Sequence, residues 1–186
     1  MHGKIEYRRR RYPVNRLSYE SLRYRFEDDR FHDIVLVCIR AAVIVSLLFL
    51  FLMSHFGVAY VVGSSMEPSY HDREIIFYRK TQDVGYEDVI IAFCEPLDEL
   101  VIKRVIGVAG DTIEISDGVT YRNEAPIVET NIVLDEEDNM IPTVVPEGEL
   151  FLMGDNRPVS LDSRSDRVAT FQIDDVCGVV LAGICF

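Results

Sequence analysis

Hydrophobic positions along this chain fall into two regimes. From Ala41 to Val62 the run AAVIVSLLFLFLMSHFGVAYVV holds no charged residue, counting His55 as neutral, and it has no polar face. A bilayer core takes about 20 residues of helix to cross. The pattern therefore predicts a membrane-spanning helix over residues 34–55, with Arg40 near one end where its side chain can snorkel to the headgroups. Beyond the span the pattern breaks into short alternating or apolar runs. These predict strands at Phe56–Val62, Glu74–Tyr78, Asp88–Phe93, Glu99–Ile106, Thr112–Ser116, Val119–Arg122, Gly148–Met153 and Val176–Cys185. Turn material such as Gly-Asp, Asp-Gly, Arg-Asn and Pro-Glu-Gly separates them. No amphipathic helix of convincing length and no internal repeat is present. The fold class expected is mainly β: one N-terminal transmembrane helix, then a compact β-barrel-like domain or folded sheet system. The stretch Asn131–Val145, acidic at Asp135-Glu136-Glu137-Asp138 and flanked by proline, reads as a solvated loop.

Charge adds a direction to this picture. The formal net charge is -12, but residues 1–33 hold nine Lys/Arg against six Asp/Glu, whereas residues 56–186 hold nine against 25. A basic head and an acidic body belong in different surroundings. The division expected is a basic cytoplasmic tail at 1–33, a transmembrane anchor at 34–55 and a domain outside the cytoplasm at 56–186, where any chemistry should take place. The Arg-rich flank stays inside by the positive-inside rule. The apolar run exceeds the roughly 7–15 residues of a cleaved signal's core, so it reads as a retained anchor in the plasma membrane. An acidic body also excludes nucleic acid as a partner, since phosphate binding needs a basic surface. The four cysteines, Cys38, Cys94, Cys177 and Cys185, show no metal-ligand spacing, so a zinc site is not expected. Spacing allows a Cys177–Cys185 bridge without establishing one.

Three segments carry candidate chemistry. In VVGSSMEPSY (61–70) a serine sits in a Gly/Met-x-Pro turn just past the span; a serine hydroxyl needs a base to act as a nucleophile. In VIKRVIGVAGD (101–111) strand alternation puts Lys103 on the face of Val101 and Val105, and Arg104 on the other. A lysine buried there gives up its proton more readily, and arginine could not replace it as a base. In FLMGDNRPVSLDSRS (151–165) a strand runs into a turn rich in Asp, Asn, Ser and Arg. Taken singly, the three segments also read as an ordinary turn, a lysine on the wet face of an edge strand, and a charged surface turn. The histidines His2, His32, His55 and His71 supply no Ser-His-Asp set, so a serine acting here would use lysine.

Together, G-x-S-M-x-P, K-R-x-x-G-x-x-G-D and G-D-N-R-x-x-S-x-D-S-R after one span resemble bacterial type I signal peptidase, over most of residues 34–186. The resemblance implies a Ser-Lys serine endopeptidase that removes signal peptides from exported preproteins after small residues, of the Ala-x-Ala type. It implies Ser65 as nucleophile and Lys103 as general base, with no metal or cofactor. Ser160 would hydrogen-bond and orient the lysine. Asp155, Asp162, Arg164 and Arg104 would hold the site together, with Arg104 on Asp155. Gly63, Ser64, Val62 and Ile102 would line the oxyanion and substrate side. Preprotein signal peptides, the lipid bilayer and the secretion translocon are the partners it implies. Two positions depart from the family pattern. Gly63 stands where some relatives carry a serine that helps hold the oxyanion, and Val108-Ala109-Gly110 stands where Leu-Pro-Gly is common, a change expected to loosen the turn. The short chain suggests the compact form seen in Gram-positive bacteria. A non-catalytic scaffold, a soluble self-cleaving Ser-Lys regulator and a Ser-His signal peptidase are the rival readings.

Overall fold

The structure is a computed structural model; it describes residues 16–185, with side chains from residue 31 onward. The chain divides into two units, one ending at Leu50 and one beginning at Phe51. Helix α1 runs Arg16–His55. Within its segment Phe31–His55 an 18-residue stretch has a mean hydropathy of 2.9, and none of that stretch is buried within the protein. The helix is apolar on all sides over this stretch, and 25 residues at 1.5 Å each are long enough to cross a membrane. Within the second unit, Lys80 Nζ donates to Met53 O at 2.9 Å and Lys80 N to His55 O at 2.8 Å. These bonds satisfy two of the carbonyls that a helix end leaves open.

The second unit is antiparallel β. Its strands are β1 (Phe56–Tyr60), β2 (Ile75–Arg79), β3 (Val89–Cys94), β4 (Glu99–Val108), β5 (Thr112–Ser116), β6 (Val119–Arg122), β7 (Ala125–Pro126), β8 (Met140–Val144), β9 (Glu149–Met153), β10 (Phe171–Gln172) and β11 (Val176–Ile184). They form a seven-stranded sheet in the order β1-β2-β11-β3-β4-β9-β10 and a four-stranded sheet in the order β7-β6-β5-β8. Both sheets have open edges, so the mainly β expectation holds without closure into a barrel. All eight expected strands form. The expected solvated loop at 131–145 is corrected in part: Met140–Val144 is strand β8, paired with β5. It is an edge strand with a mostly exposed pattern and Pro142 inside it, the one place in a sheet where a missing N–H is tolerated.

Strand alternation divides the core. On β9, Leu150 and Leu152 enter one cluster with Ile90, Ala92, Val105, Val168 and Phe171. Phe151 and Met153 enter a second, with Ile106, Ile113, Ile115 and Val145, which joins the two sheets. Strand β9 is thus buried on both faces and holds the following turn, residues 154–165, against a rigid base. The four cysteines are free thiols. The allowed Cys177–Cys185 bridge does not form, because Cys177 lies near the start of the extended strand β11 and Cys185 beyond its end. At about 3.3 Å per residue, strand geometry keeps them far outside disulfide reach.

Candidate active site

Lys103 lies on β4 with its side chain on the face of Val101 and Val105, both of which belong to the larger core. Only 4% of Lys103 is exposed. Its amine lies 2.9 Å from Ser65 Oγ. Burial pushes its pKa below the ordinary lysine value; Asp162 opposes that shift and Arg164 adds to it. A buried amine beside a hydroxyl, with its charged form disfavoured, is the arrangement a general base needs.

Ser65 lies in the turn after β1. The buried side chain of Met66 anchors this turn, and Asn156 clamps it from the other side. Asn156 N donates to Ser65 O at 3.0 Å and Asn156 Nδ2 to Ser64 O at 3.1 Å. Gly154 makes the approach possible. A Cβ on it would lie 2.5 Å from Ser65 O and 2.2 Å from Ser160 Oγ, so any side chain there would push the two segments apart. Ser65 N donates to no group among the described residues. It is therefore free for an incoming oxyanion. Gly63 has φ +91°, with open space around its Cβ position. A serine at this left-handed position would be strained for reasons of backbone rather than room. The Gly63 N–H donates to Asp72 Oδ1 at 2.8 Å and is not available beside Ser65 N.

The support groups come from β4 and the 154–165 turn. Asp155, fully buried, takes a two-pronged bond from Arg104: Nε to Oδ1 at 2.7 Å and Nη2 to Oδ2 at 2.5 Å. Asp162, 1% exposed, takes Arg164 Nε at 2.8 Å and Nη2 at 2.9 Å, and Gly154 N at 2.9 Å. Burial works against its charge, but Arg164 and the Gly154 amide outweigh it, and its pKa lies below the ordinary value. Arg164 is correspondingly locked in its charged form despite burial. The Lys103–Ser160 hydrogen bond implied by the resemblance is not made. Ser160 Oγ lies near Asp162 but meets no hydrogen-bond geometry with any group among the described residues. The amine instead donates to Ser65. The turn at Val108-Ala109-Gly110 is not loose: Asp111 N donates to Val108 O at 3.0 Å, and Val108 N donates back to Asp111 Oδ2 at 2.9 Å.

Sequence reasoning missed Asn156, Arg157 and Asp138. Asn156 and Arg157 stand inside the third segment, where their place beside Asp155 was a usable signal. Arg157, 3% exposed, pairs with Glu129 and donates to Gly154 O at 3.0 Å and to Thr120 Oγ1 at 3.1 Å.

A cleft of about 690 Å³ opens on Ser65 and Lys103. Its walls are residues 58–65 and 99–103; its floor includes Ile76 and Ile91. Val62, Gly63, Ser64 and Ile102 all line it. Strand β1 is the outer strand of its sheet. On β4, Glu99–Lys103 pair only with β3, because β9 joins from Arg104 onward. The cleft is therefore flanked by two open backbone edges.

Comparison with known proteins places the chain in a family. The family described as signal peptidase, peptidase S26, matches residues 30–184. A signal peptidase I of Bacillus amyloliquefaciens is 34% identical over 140 residues, covering 67% of this chain and 75% of that protein. Signal peptidase I T of Bacillus subtilis is 33% identical over 140 residues, covering 67% and 72%. A solved structure of a signal peptidase I from Enterococcus faecalis V583 has 28% identity and a TM-score of 0.45, covering 53% of this chain and 97% of that one. The chain belongs to the signal peptidase family, peptidase S26, and is a hydrolase.

Proposed function

We propose that this chain is a membrane-held serine endopeptidase that removes N-terminal signal peptides from exported preproteins. The observation that carries the reading is the 2.9 Å contact between the buried Lys103 amine and Ser65 Oγ. In its neutral form Lys103 takes the Ser65 proton across this contact, and Oγ attacks the scissile carbonyl. Negative charge on the carbonyl oxygen is met by the free Ser65 N–H. The protonated amine then gives its proton to the leaving amine, and water, activated by the same lysine, releases the acyl group from Ser65.

The substrate enters as an extended segment between the open edges of β1 and Glu99–Ile102, bonding through its backbone as an added strand. Ile76, Ile91 and Ile102 add apolar surface to the lining, and the cleavage proposed is after small residues, of the Ala-x-Ala type. Asp155 with Arg104, and Asp162 with Arg164, hold the two strands and the turn in register. The basic tail at 1–33 stays in the cytoplasm, the span at 34–55 anchors the chain, and residues 56–186 work outside, beside the lipid surface and the secretion translocon. No cofactor enters the scheme.

The test is cleavage of a preprotein with an Ala-x-Ala site in detergent micelles, with the cut located by mass spectrometry. Wild type cuts after the small residue. Ser65→Ala and Lys103→Arg lose activity on the order of 10⁴-fold or more while keeping the wild-type circular dichroism. Near-normal turnover by a folded Lys103→Arg would end the lysine-base reading.

A further inference from the structure

Asp138 stands in an acidic run whose neighbours Glu136 and Glu137 are exposed. Its own carboxylate is turned inward. Arg164 Nη1 donates to Asp138 Oδ2 at 2.6 Å, with side-chain exposures of 12% and 19%. The loop around it is fastened on several sides. Gly118 N donates to Asp138 O at 3.0 Å, and Asp117 N to Asn139 Oδ1 at 3.0 Å. Earlier in the loop, Val133 forms a parallel bridge with Asn156. Val133 N donates to Asp155 O at 2.8 Å and Arg157 N to Val133 O at 3.1 Å. Asn131 Nδ2 reaches Ser69 Oγ at 3.0 Å, and Arg104 Nη2 donates to the same hydroxyl at 3.3 Å. The acidic loop is therefore stitched to both the nucleophile segment and the 154–165 turn.

Arg164 has few ways to move. One edge of its guanidinium holds Asp162, Nη2 also donates to Arg157 O at 2.8 Å, and Nη1 at the far end holds Asp138. A planar fork held at both ends is fixed in position and in plane. Asp162, at the inner end, takes the Gly154 N–H at 2.9 Å, and Gly154 packs directly against Ser65 O and Ser160 Oγ.

We infer that Asp138 is a positioning residue for the hydrolysis: it clamps Arg164 from the end away from Asp162, and so holds Asp162, and with it Gly154, against the segment that carries Ser65. This rests on the Ser65/Lys103 reading. Without Asp138 the outer end of Arg164 is released, Asp162 and Gly154 follow it, and Ser65 Oγ drifts from the Lys103 amine. Misplacement of a reacting group by about 1 Å costs on the order of 100-fold in rate.

The test measures kcat and KM on the micelle preprotein assay for full-length wild type, Asp138→Ala, Asp138→Asn and Glu137→Ala, with Lys103→Ala as reference. Expected are a kcat about 10- to 100-fold lower for Asp138→Ala with KM within about twofold, since the cleft is untouched. Asp138→Asn keeps an acceptor oxygen for Nη1 and recovers most of the rate, and Glu137→Ala matches wild type. An Asp138→Ala enzyme with wild-type kcat overturns the inference. So does an equal loss in Glu137→Ala, which would make the effect one of the whole loop. If Asp138→Ala fails to fold, the folded Asp138→Asn decides: its kcat must lie between those of wild type and Lys103→Ala, and a rate as low as that of Lys103→Ala overturns a positioning role. An active Lys103→Ala would instead remove the underlying reading, whatever Asp138 does.

Discussion

Lys103 is placed at a cost to the fold. Its amine is buried at the end of the larger core, and its pKa lies below the ordinary lysine value. The folded state therefore binds fewer protons than the unfolded chain between the lowered pKa and about 10.4. Stability rises with pH across that window, because the penalty for burying the charge fades as the unfolded lysine also loses its proton. Each unit by which the pKa is depressed corresponds to about 1.4 kcal/mol. Lys103→Met, which keeps the length without the charge, should be more stable than wild type at neutral pH, with the advantage shrinking toward pH 10. Urea unfolding of both proteins across pH 6–10 checks this; an advantage that grows with pH would contradict the sign. Cleavage activity should rise in the same direction as Lys103 deprotonates. The proposed base is thus a local liability, held in place by the strands on either side.

Among the elements, the 154–165 turn is the most heavily braced. Arg157 is buried within it, paired with Glu129 and bonded to Thr120 Oγ1 and Gly154 O. Removing one member of a buried ion pair leaves the other charge without compensation. Arg157→Ala should therefore cost roughly 3–5 kcal/mol of stability, read as a fall in the urea midpoint. A loss below about 1 kcal/mol would show that water replaces the pair. Much of this level was legible in the sequence. Alternation gave β4, β5, β6 and β9 and the inward face of Lys103. What escaped were β7, β8 and β10, which are two-residue pairings or an exposed edge strand containing Pro142, and carry little hydrophobic signal. Asp138 escaped for a related reason. An acidic run looks solvated, and its one inward carboxylate finds its arginine 26 residues further on. Ser160 was legible as a member of the site but not in its bonding, because a hydroxyl's choice among Lys103, Asp162 and solvent depends on distances that no spacing encodes.

The whole molecule joins an apolar helix to an acidic β unit. On the proposed reading, enzyme and substrate share one thin layer, and encounter is set by their density within it rather than by bulk concentration. Added detergent at fixed enzyme and preprotein should then lower the cleavage rate by surface dilution, roughly in proportion once micelles outnumber proteins. A rate insensitive to detergent would show that the helix does not bring the two together. The two open strand edges beside Ser65 have a consequence for inhibition. A strand-like inhibitor lying between β1 and Glu99–Ile102 would bind amides and carbonyls that every residue carries, and no side-chain substitution removes those. Escape would have to come from bulk at the cleft floor, at Ile76 or Ile91, and the same bulk would obstruct the enzyme's own substrate. Resistance arising inside this cleft would therefore carry a loss of processing with it.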